Sequence, residues 1–305
     1  MFKIAHISDI HLSPLPQPTL RQLASKRITG YVNWKRNRKH ALDGNYLENL
    51  LADMAGNKPD HIVVSGDLIN LALPQEFENA ARFLESLAEP EKVSAICGNH
   101  DAYVKGALET AQKKWRPYMS GDADTTQTPV EFPYLRIRGD IAIIGCNSAE
   151  ATAPFMATGY FRQSQAERLA KFLDETRNLC RVICIHHPPI EGATRWYKRL
   201  IGGDLFRRIV SEHGAELVLH GHTHLASTNR IEGPHGLIPV IGVPAAGNVE
   251  GQNKPAGRYN LFSIRKAGSE WSILHQAYGY ETASSSGVLL EERTHVVSLR
   301  NRVAS

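Results

Sequence analysis

Short polar motifs made of aspartate, asparagine and histidine sit at the ends of apolar runs, and they constrain this chain more than any other feature. Phe2–Ser8 leads into Asp9-Ile10-His11, and His61–Ser65 into Gly66-Asp67. Lys92–Ile96 leads into Gly98-Asn99-His100-Asp101. Arg181–Ile185 leads into His186-His187-Pro188-Pro189, and Leu217–Leu219 into His220-Gly221-His222-Thr223-His224. Brief apolar runs bounded by turn residues read as buried strands. In α/β sheets the carboxyl ends of strands are where sites assemble. Motifs scattered along the chain would therefore share one polar pocket.

Helical patterns alternate with these strands. Leu42–Ala55 carries Leu42, Tyr46, Leu47, Leu50, Leu51 and Met54 at helical spacing. Pro74 stands where a first-turn proline belongs, ahead of the stripe Phe77, Ala80, Ala81, Leu84 and Leu87. Gln163–Thr176 and Asp204–His213 read as further helices, and Glu131–Arg138 and Ile141–Gly145 as strands. Beyond His224 the pattern turns to β, in Ser227–Ile231, Leu237–Val243, Tyr259–Ile264, Trp271–Ala277 and Val288–Val297. The class is α/β, with two sheets packed together and helices outside. The β-rich part, 225–305, is expected to complete the second sheet. With no internal repeat and no long linker, 1–305 reads as a single domain.

Composition excludes several classes. Of 305 residues 42% are hydrophobic and 22% charged, which is ordinary globular usage rather than that of a disordered or fibrous chain. No apolar run approaches the roughly 18 residues needed to span a bilayer. The start, MFKIAHISDIHL, is a poor signal segment because His6, Ser8 and Asp9 interrupt it. Cys97, Cys146, Cys180 and Cys184 do not make a disulfide scaffold in a chain this long. The expected setting is the cytoplasm.

Taken singly, each motif has an ordinary explanation as turn chemistry or as a satisfied buried histidine. His6, His61, His213 and His220, in or beside predicted elements, keep that explanation. Together the motifs offer carboxylate and amide oxygens with several imidazoles. That donor set suits a pair of divalent first-row ions. It holds too many imidazoles for calcium and no paired thiolates for structural zinc. A bridging carboxylate is the natural way to hold two cations about 3.5–4 Å apart.

These blocks, in this order from Ile7 to His224, resemble the calcineurin-like metallophosphoesterases. The resemblance implies a four-layer αββα sandwich, two mixed β-sheets packed face to face with helices outside. Carried over residue by residue, it implies Asp9, His11, Asp67 and His224 around one metal. Asp67 would bridge to a second metal completed by Asn99, His186 and His222. Manganese, iron, zinc or a mixed pair fits these ligands. The resemblance favours His186 over His187 as the ligand; His187 would stand just behind the ligands or be a candidate substrate contact. His100 would face the substrate, stabilising phosphate charge or protonating the leaving oxygen, and Asp101 would orient or charge-couple its imidazole. A water shared by the two ions would supply the in-line nucleophile for hydrolysis of a phosphodiester or pyrophosphate bond.

Substrate choice rests on the variable segments. Between Asp9 and Asp43 no acidic residue occurs, while Arg21, Lys26, Arg27, Lys35, Arg36, Arg38 and Lys39 do. In the insert 13–40 these alternate with Leu20, Leu23, Ile28, Tyr31, Val32 and Trp34. One reading is a solvated cap over the site. The other is a cationic rim facing an anionic membrane surface, with the enzyme peripheral to its inner face, or facing a long phosphate-bearing substrate. Arg195, Trp196 and Tyr197 are candidate substrate contacts across the cleft. The leading expectation is a small-molecule phosphodiesterase. The competing one is a pyrophosphatase of the UDP-2,3-diacylglucosamine type, acting on a nucleotide-linked lipid. A metal-binding scaffold without catalysis ranks below both. Nucleic acid also ranks low, because the net charge is only +4. Val288–Val297 is a candidate homodimer contact.

Overall fold

The computed structural model describes residues 1–38, 44–123, 130–249, 255–268, 270–280 and 287–298. In chain order the strands are β1 (Phe2–Ile7), β2 (His61–Val64), β3 (Val93–Ala95), β4 (Tyr134–Arg138), β5 (Ile141–Gly145), β6 (Gly159–Tyr160) and β7 (Cys180–Cys184). They continue with β8 (Leu200–Ile201), β9 (Leu217–His220), β10 (Ser227–Gly233), β11 (Gly236–Gly242), β12 (Arg258–Ala267), β13 (Glu270–Gly279) and β14 (Val288–Ser298). The helices are α1 (Leu20–Leu23), α2 (Arg27–Asn33), α3 (Gly44–Gly56), α4 (Pro74–Leu87), α5 (Ala107–Lys114), α6 (Arg116–Met119), α7 (Gln163–Glu175) and α8 (Gly203–His213).

Two mixed six-stranded sheets result, in the orders β14-β13-β12-β1-β2-β3 and β10-β11-β9-β7-β5-β4, with β6 and β8 forming a separate pair. In the first sheet β1, β2 and β3 run parallel. In the second, β5, β7, β9 and β11 do. Alternation along the strands explains the layering. In β7, Cys180, Val182 and Cys184 join the core that also holds Ile4, Val63 and Phe262 of the first sheet. The intervening Ile183 packs with Leu169, Leu173, Phe206 and Val210 of α7 and α8. On the other flank Leu50 and Met54 of α3 and Phe77 and Leu84 of α4 join the first sheet's core. The outcome is a four-layer αββα sandwich.

The chain after His224 serves both sheets rather than one. Strands β10 and β11 extend the second sheet, whereas β12, β13 and β14 extend the first. Helices α5 and α6 escape the hydropathy pattern because the inward face of α5 is built from Ala107, Ala111 and Gln112, too weak an apolar stripe to register. The insert 13–40 folds into α1, α2 and a π turn over Trp34–Arg38, and Lys39 and His40 lie outside the described residues. All four cysteines are buried and unpaired with one another. Among the described residues no helix is long and apolar enough to cross a membrane.

Candidate metal centre and active site

The parallel strands deliver their motifs to one edge of the sandwich. Asp9 and His11 follow β1, Asp67 follows β2, and Asn99 and His100 follow β3. His186 follows β7, while His222 and His224 follow β9. The backbone there is held in an uncommon state. Asp9, His11, Asp67, His222 and His224 all adopt positive φ, between 46° and 68°, a conformation that costs non-glycine residues about 1–3 kcal/mol each. Two glycines permit the close approach. A methyl group on Gly98 would fall on Asp67 Oδ1, and one on Gly221 would fall on Ser8 Oγ.

Around a first point, Asp9 Oδ1 lies 3.0 Å from His224 Nε2. His11 Nε2 is 3.3 Å from His224 Nε2, 4.0 Å from Asp9 Oδ1 and 3.9 Å from Asp67 Oδ2. Around a second point, His186 Nε2 is 3.5 Å from Asp67 Oδ2 and 3.3 Å from Asn99 Oδ1, with the His222 ring 5.2 Å from the His186 ring. Asp67 belongs to both groups.

The proton positions show that these donors fit cations. A carbonyl oxygen only accepts, so His11 Nδ1, 3.2 Å from Ile69 O, carries the ring proton, as does His186 Nδ1, 2.7 Å from Ser65 O. Their Nε2 atoms then point at carboxylate, amide and imidazole groups. His222 donates from Nε2 to Lys198 O at 3.0 Å, which leaves its Nδ1 as the lone pair. Asp9 Oδ1 is buried, with the His224 imidazole beside it at 3.0 Å. Acceptors gathered this closely call for positive charge among them, which protons on the imidazoles or bound cations can supply. The carbonyl partners are also the kind that orient metal-binding imidazoles.

The electrostatics agree. Burial works against the Asp9 carboxylate, yet His224 beside it holds its pKa well below the usual range. Burial likewise opposes Asp67, and His186 and then His100 pull it down. His186 is pushed up to about 9 against its own burial by Asp67. Burial drives His222 well below the ordinary histidine value. Two buried carboxylates kept ionised make a site that is completed by cations.

The sequence profile of the calcineurin-like phosphoesterases matches residues 2–226. The chain belongs to this family. It is also 30% identical over 276 residues to a probable cyclic nucleotide phosphodiesterase of Synechococcus sp., an alignment covering 89% of this chain and 91% of that one. Among solved structures, a purple acid phosphatase from yellow lupin (Lupinus luteus) seeds aligns with a TM-score of 0.57 at 12% identity. The alignment covers 96% of this chain and 53% of the lupin protein. The NAD nucleotidase of Haemophilus influenzae aligns with a TM-score of 0.48 at 13% identity, over 97% of this chain and 50% of that one. The chain thus spans about half the length of these two structures. At such identities the lupin likeness speaks for the fold alone, and it is the fold of a metallophosphoesterase. The protein is a phosphoester hydrolase with Asp/His clusters able to hold metal.

Beside this centre lies a cavity of about 760 Å³. His100 lines it, its Nδ1 donating to Asn70 O at 2.6 Å. Arg195 and Tyr197 line it as well, linked by a 3.4 Å hydrogen bond from Arg195 Nη1 to Tyr197 Oη. Trp196 between them, on a 3-10 turn, does not line the cavity; it is 66% exposed, with its ring edge-on to Tyr197 at 5.7 Å.

One expectation needs correction. Asp101 does not orient the His100 ring. Its carboxylate accepts the backbone N–H groups of Asp67 and Gly98, each at 2.8 Å, of Leu68 at 3.0 Å and of Ile69 at 3.2 Å. The Asn70 carbonyl takes the role expected of Asp101. Burial and then the Asp67 charge push the Asp101 carboxyl up to about 8, against those N–H groups. His187 takes a place behind the candidate ligands. It lies close enough to His186 and His222 to share an ion with them, but both its nitrogens are engaged, Nδ1 with Ser148 Oγ at 2.8 Å and Nε2 with Ala157 O at 3.2 Å. It is fully buried, with its pKa pushed down to about 3 by burial and then by His186. Its geometry is that of a packed side chain beside His222.

Reading the motifs alone misses Lys26, Asn70 and Tyr103, which also line the cavity. Lys26 is visible in sequence only as one of many basic residues, and the helical phase that selects it is set by tertiary packing.

Proposed function

We propose that this calcineurin-like phosphoesterase is a two-metal phosphodiesterase acting on a small soluble diester of the cyclic-nucleotide class. The observation carrying the reading is the convergence of Asp9, His11, Asp67 and His224 on one point and of Asp67, Asn99, His186 and His222 on a neighbouring one. A pair of divalent ions of manganese, iron or zinc held there supplies Lewis acidity and a water of lowered pKa. The name of the Synechococcus relative, with near-complete coverage of both chains, supports the diester class. The cavity volume falls in the range of small-ligand sites. The whole chain acts as one catalytic domain in this reading.

The residues divide the work. Asp67 and Asp9 supply the negative charge that retains the cations. The His11 and His186 rings are fixed by the Ile69 and Ser65 carbonyls, so that their Nε2 atoms face inward. His100, tied through Nδ1 to Asn70, can exchange a proton only at Nε2. That atom is the one to stabilise charge building on phosphoryl oxygens or to protonate the leaving oxygen.

Bis-p-nitrophenyl phosphate, compared with p-nitrophenyl phosphate at fixed manganese, tests the reading. Diester turnover abolished by chelation and restored by manganese is expected, with the monoester cleaved more slowly. A protein that binds manganese and cleaves neither would be the scaffold instead.

A second reading rests on exposed apolar residues beside the basic insert. Leu20 is 87% exposed and Ile28 54%. Phe155 and Leu225, at 82% and 49%, stand at the cavity wall. They suit a nucleotide-linked lipid presented at an anionic membrane. Cleavage of UDP-diacylglucosamine in preference to a cyclic nucleotide, with sedimentation on anionic vesicles, would favour it.

A further inference from the structure

The insert carries one cation into the site, and its surroundings are unusual for a lysine. Lys26 stands just ahead of α2, half-buried at the cavity wall. Its ammonium donates to Thr152 Oγ1 at 2.9 Å and to Met156 O at 3.1 Å. It also lies 4.6 Å from the centroid of the Tyr103 ring. The Tyr103 ring in turn stacks on His100, with centroids 5.5 Å apart and planes at 11°. The insert is packed tightly to hold this column. Gly30 on α2 faces Tyr103 so closely that a methyl group there would fall on the tyrosine hydroxyl. Arg27 ties α2 to the loop after β2 through Leu71 O at 2.9 Å and Ala72 O at 2.7 Å.

A mere tether between the insert and the loop after β5 would need only a neutral donor. A half-buried ammonium is a costly substitute, since desolvation penalises charge. That cost shows in a pKa pushed down to about 8 by burial. Among the described residues no carboxylate pairs with Lys26 to offset it. Thr152 and Met156 take two of its three N–H donors. Arg195 and Lys198 also line this cavity. A cation without a carboxylate partner among the described residues, held on the Tyr103 ring that stacks on His100, suits an anion arriving from solution.

We propose that Lys26 is a substrate-binding residue, its ammonium meeting the phosphoryl oxygens of the substrate on the side of the cavity walled by Tyr103 and His100. This rests on the phosphodiesterase reading, and it gives the insert a task in recognition as well as cover.

The test uses Lys26→Gln, which keeps a donor for Thr152 and Met156 but carries no charge, and Lys26→Arg, which restores the charge. The manganese-loaded full chain is assayed with bis-p-nitrophenyl phosphate. Inorganic phosphate binding is measured by calorimetry, and thermal melting is followed in parallel. Lys26→Gln is expected to raise KM and the phosphate dissociation constant together by about tenfold, in line with loss of one charge-assisted contact, with kcat falling less. Lys26→Arg is expected to recover most of both. Unchanged KM and phosphate affinity in Lys26→Gln would overturn the proposal. So would equal damage in both variants accompanied by a lowered melting temperature, which would mark a packing role. If the wild type cleaves no diester while Lys26→Gln still loses phosphate affinity, the phosphodiesterase reading fails and Lys26 stands. If the wild type cleaves the diester and Lys26→Gln binds phosphate normally, the reverse holds.

Discussion

At the residue scale, the loop Asp67–Leu73 shows how much local chemistry is needed to hold one buried carboxylate, shared by the two side-chain clusters, in a left-handed turn. Its N–H groups are claimed by two buried acids. Asp101 takes those of Asp67, Leu68 and Ile69. Glu76, in the first turn of α4, takes those of Asn70 at 2.7 Å, Leu71 at 3.1 Å and Leu73 at 2.8 Å. The carbonyls are claimed as well, by His11, His100 and Arg27. Asp101 and His100 are adjacent, yet they should fail differently when altered. Asp101→Asn turns an amide toward N–H donors, so it should lose about 2–3 kcal/mol of stability. It should also weaken manganese affinity by about 10–100-fold, as loss of a supporting group does. His100→Asn should leave manganese affinity in place and lower kcat about 100-fold. Manganese calorimetry beside steady-state kinetics separates the two. A His100→Asn protein that no longer retained manganese would show that the imidazole supports the cations rather than the phosphate.

At the element scale, the second sheet is pinned by a buried ion pair where β7 and β9 begin. Arg181 Nη2 meets Glu216 Oε1 at 2.7 Å and Arg181 Nε meets Oε2 at 3.0 Å, and both side chains are buried. Removing one partner strands the other in a medium that cannot solvate it. Arg181→Met should therefore cost about 3 kcal/mol in urea unfolding, and Arg181→Met combined with Glu216→Gln should regain part of that. Equal losses in the single and double variants would mean that the arginine acts through its packing and its bonds to the Leu173 and His213 carbonyls. The strands and long helices were legible in sequence because burial on both faces leaves predominantly apolar runs in β1, β2, β7 and β9, and α4 and α7 each keep an apolar stripe. The motif residues that converge were legible for a related reason, since strand ends in parallel sheets share one edge. What was illegible depends on orientation. Nothing local distinguishes His187, turned into Ser148 and Ala157, from His186, turned toward Asp67. Nor does anything local tell Asp101 to cap backbone rather than an imidazole, or single out Lys26 among the basic residues of the insert.

At the scale of the whole molecule, histidines buried away from the metal ligands set a limit on acid stability. Burial pushes His6 and His61 down to about 3 and His275 to about 4, whereas in the unfolded chain each titrates near 6.5. Below that value the unfolded chain takes up protons that the folded one refuses. Stability is therefore fully present above about pH 6.5 and falls as pH drops toward 4, by about 1.4 kcal/mol per pH unit for each such group. Urea unfolding of the metal-free protein at pH 7.5, 6 and 5 measures the slope without the contribution of bound cations. His275 offers the sharpest check. It is 4% exposed, stacks on Phe262 at 4.7 Å, and among the described residues neither ring nitrogen meets a protein partner. His275→Phe should keep the stacking volume, remove two unpaired polar atoms and remove one proton from the balance. The variant is expected to match or exceed the wild type at pH 7.5 and to gain on it steadily at pH 5, with a shallower slope by about one proton. Parallel curves for the two proteins would show that His275 is already protonated in the fold, and that acid sensitivity arises elsewhere in the two sheets.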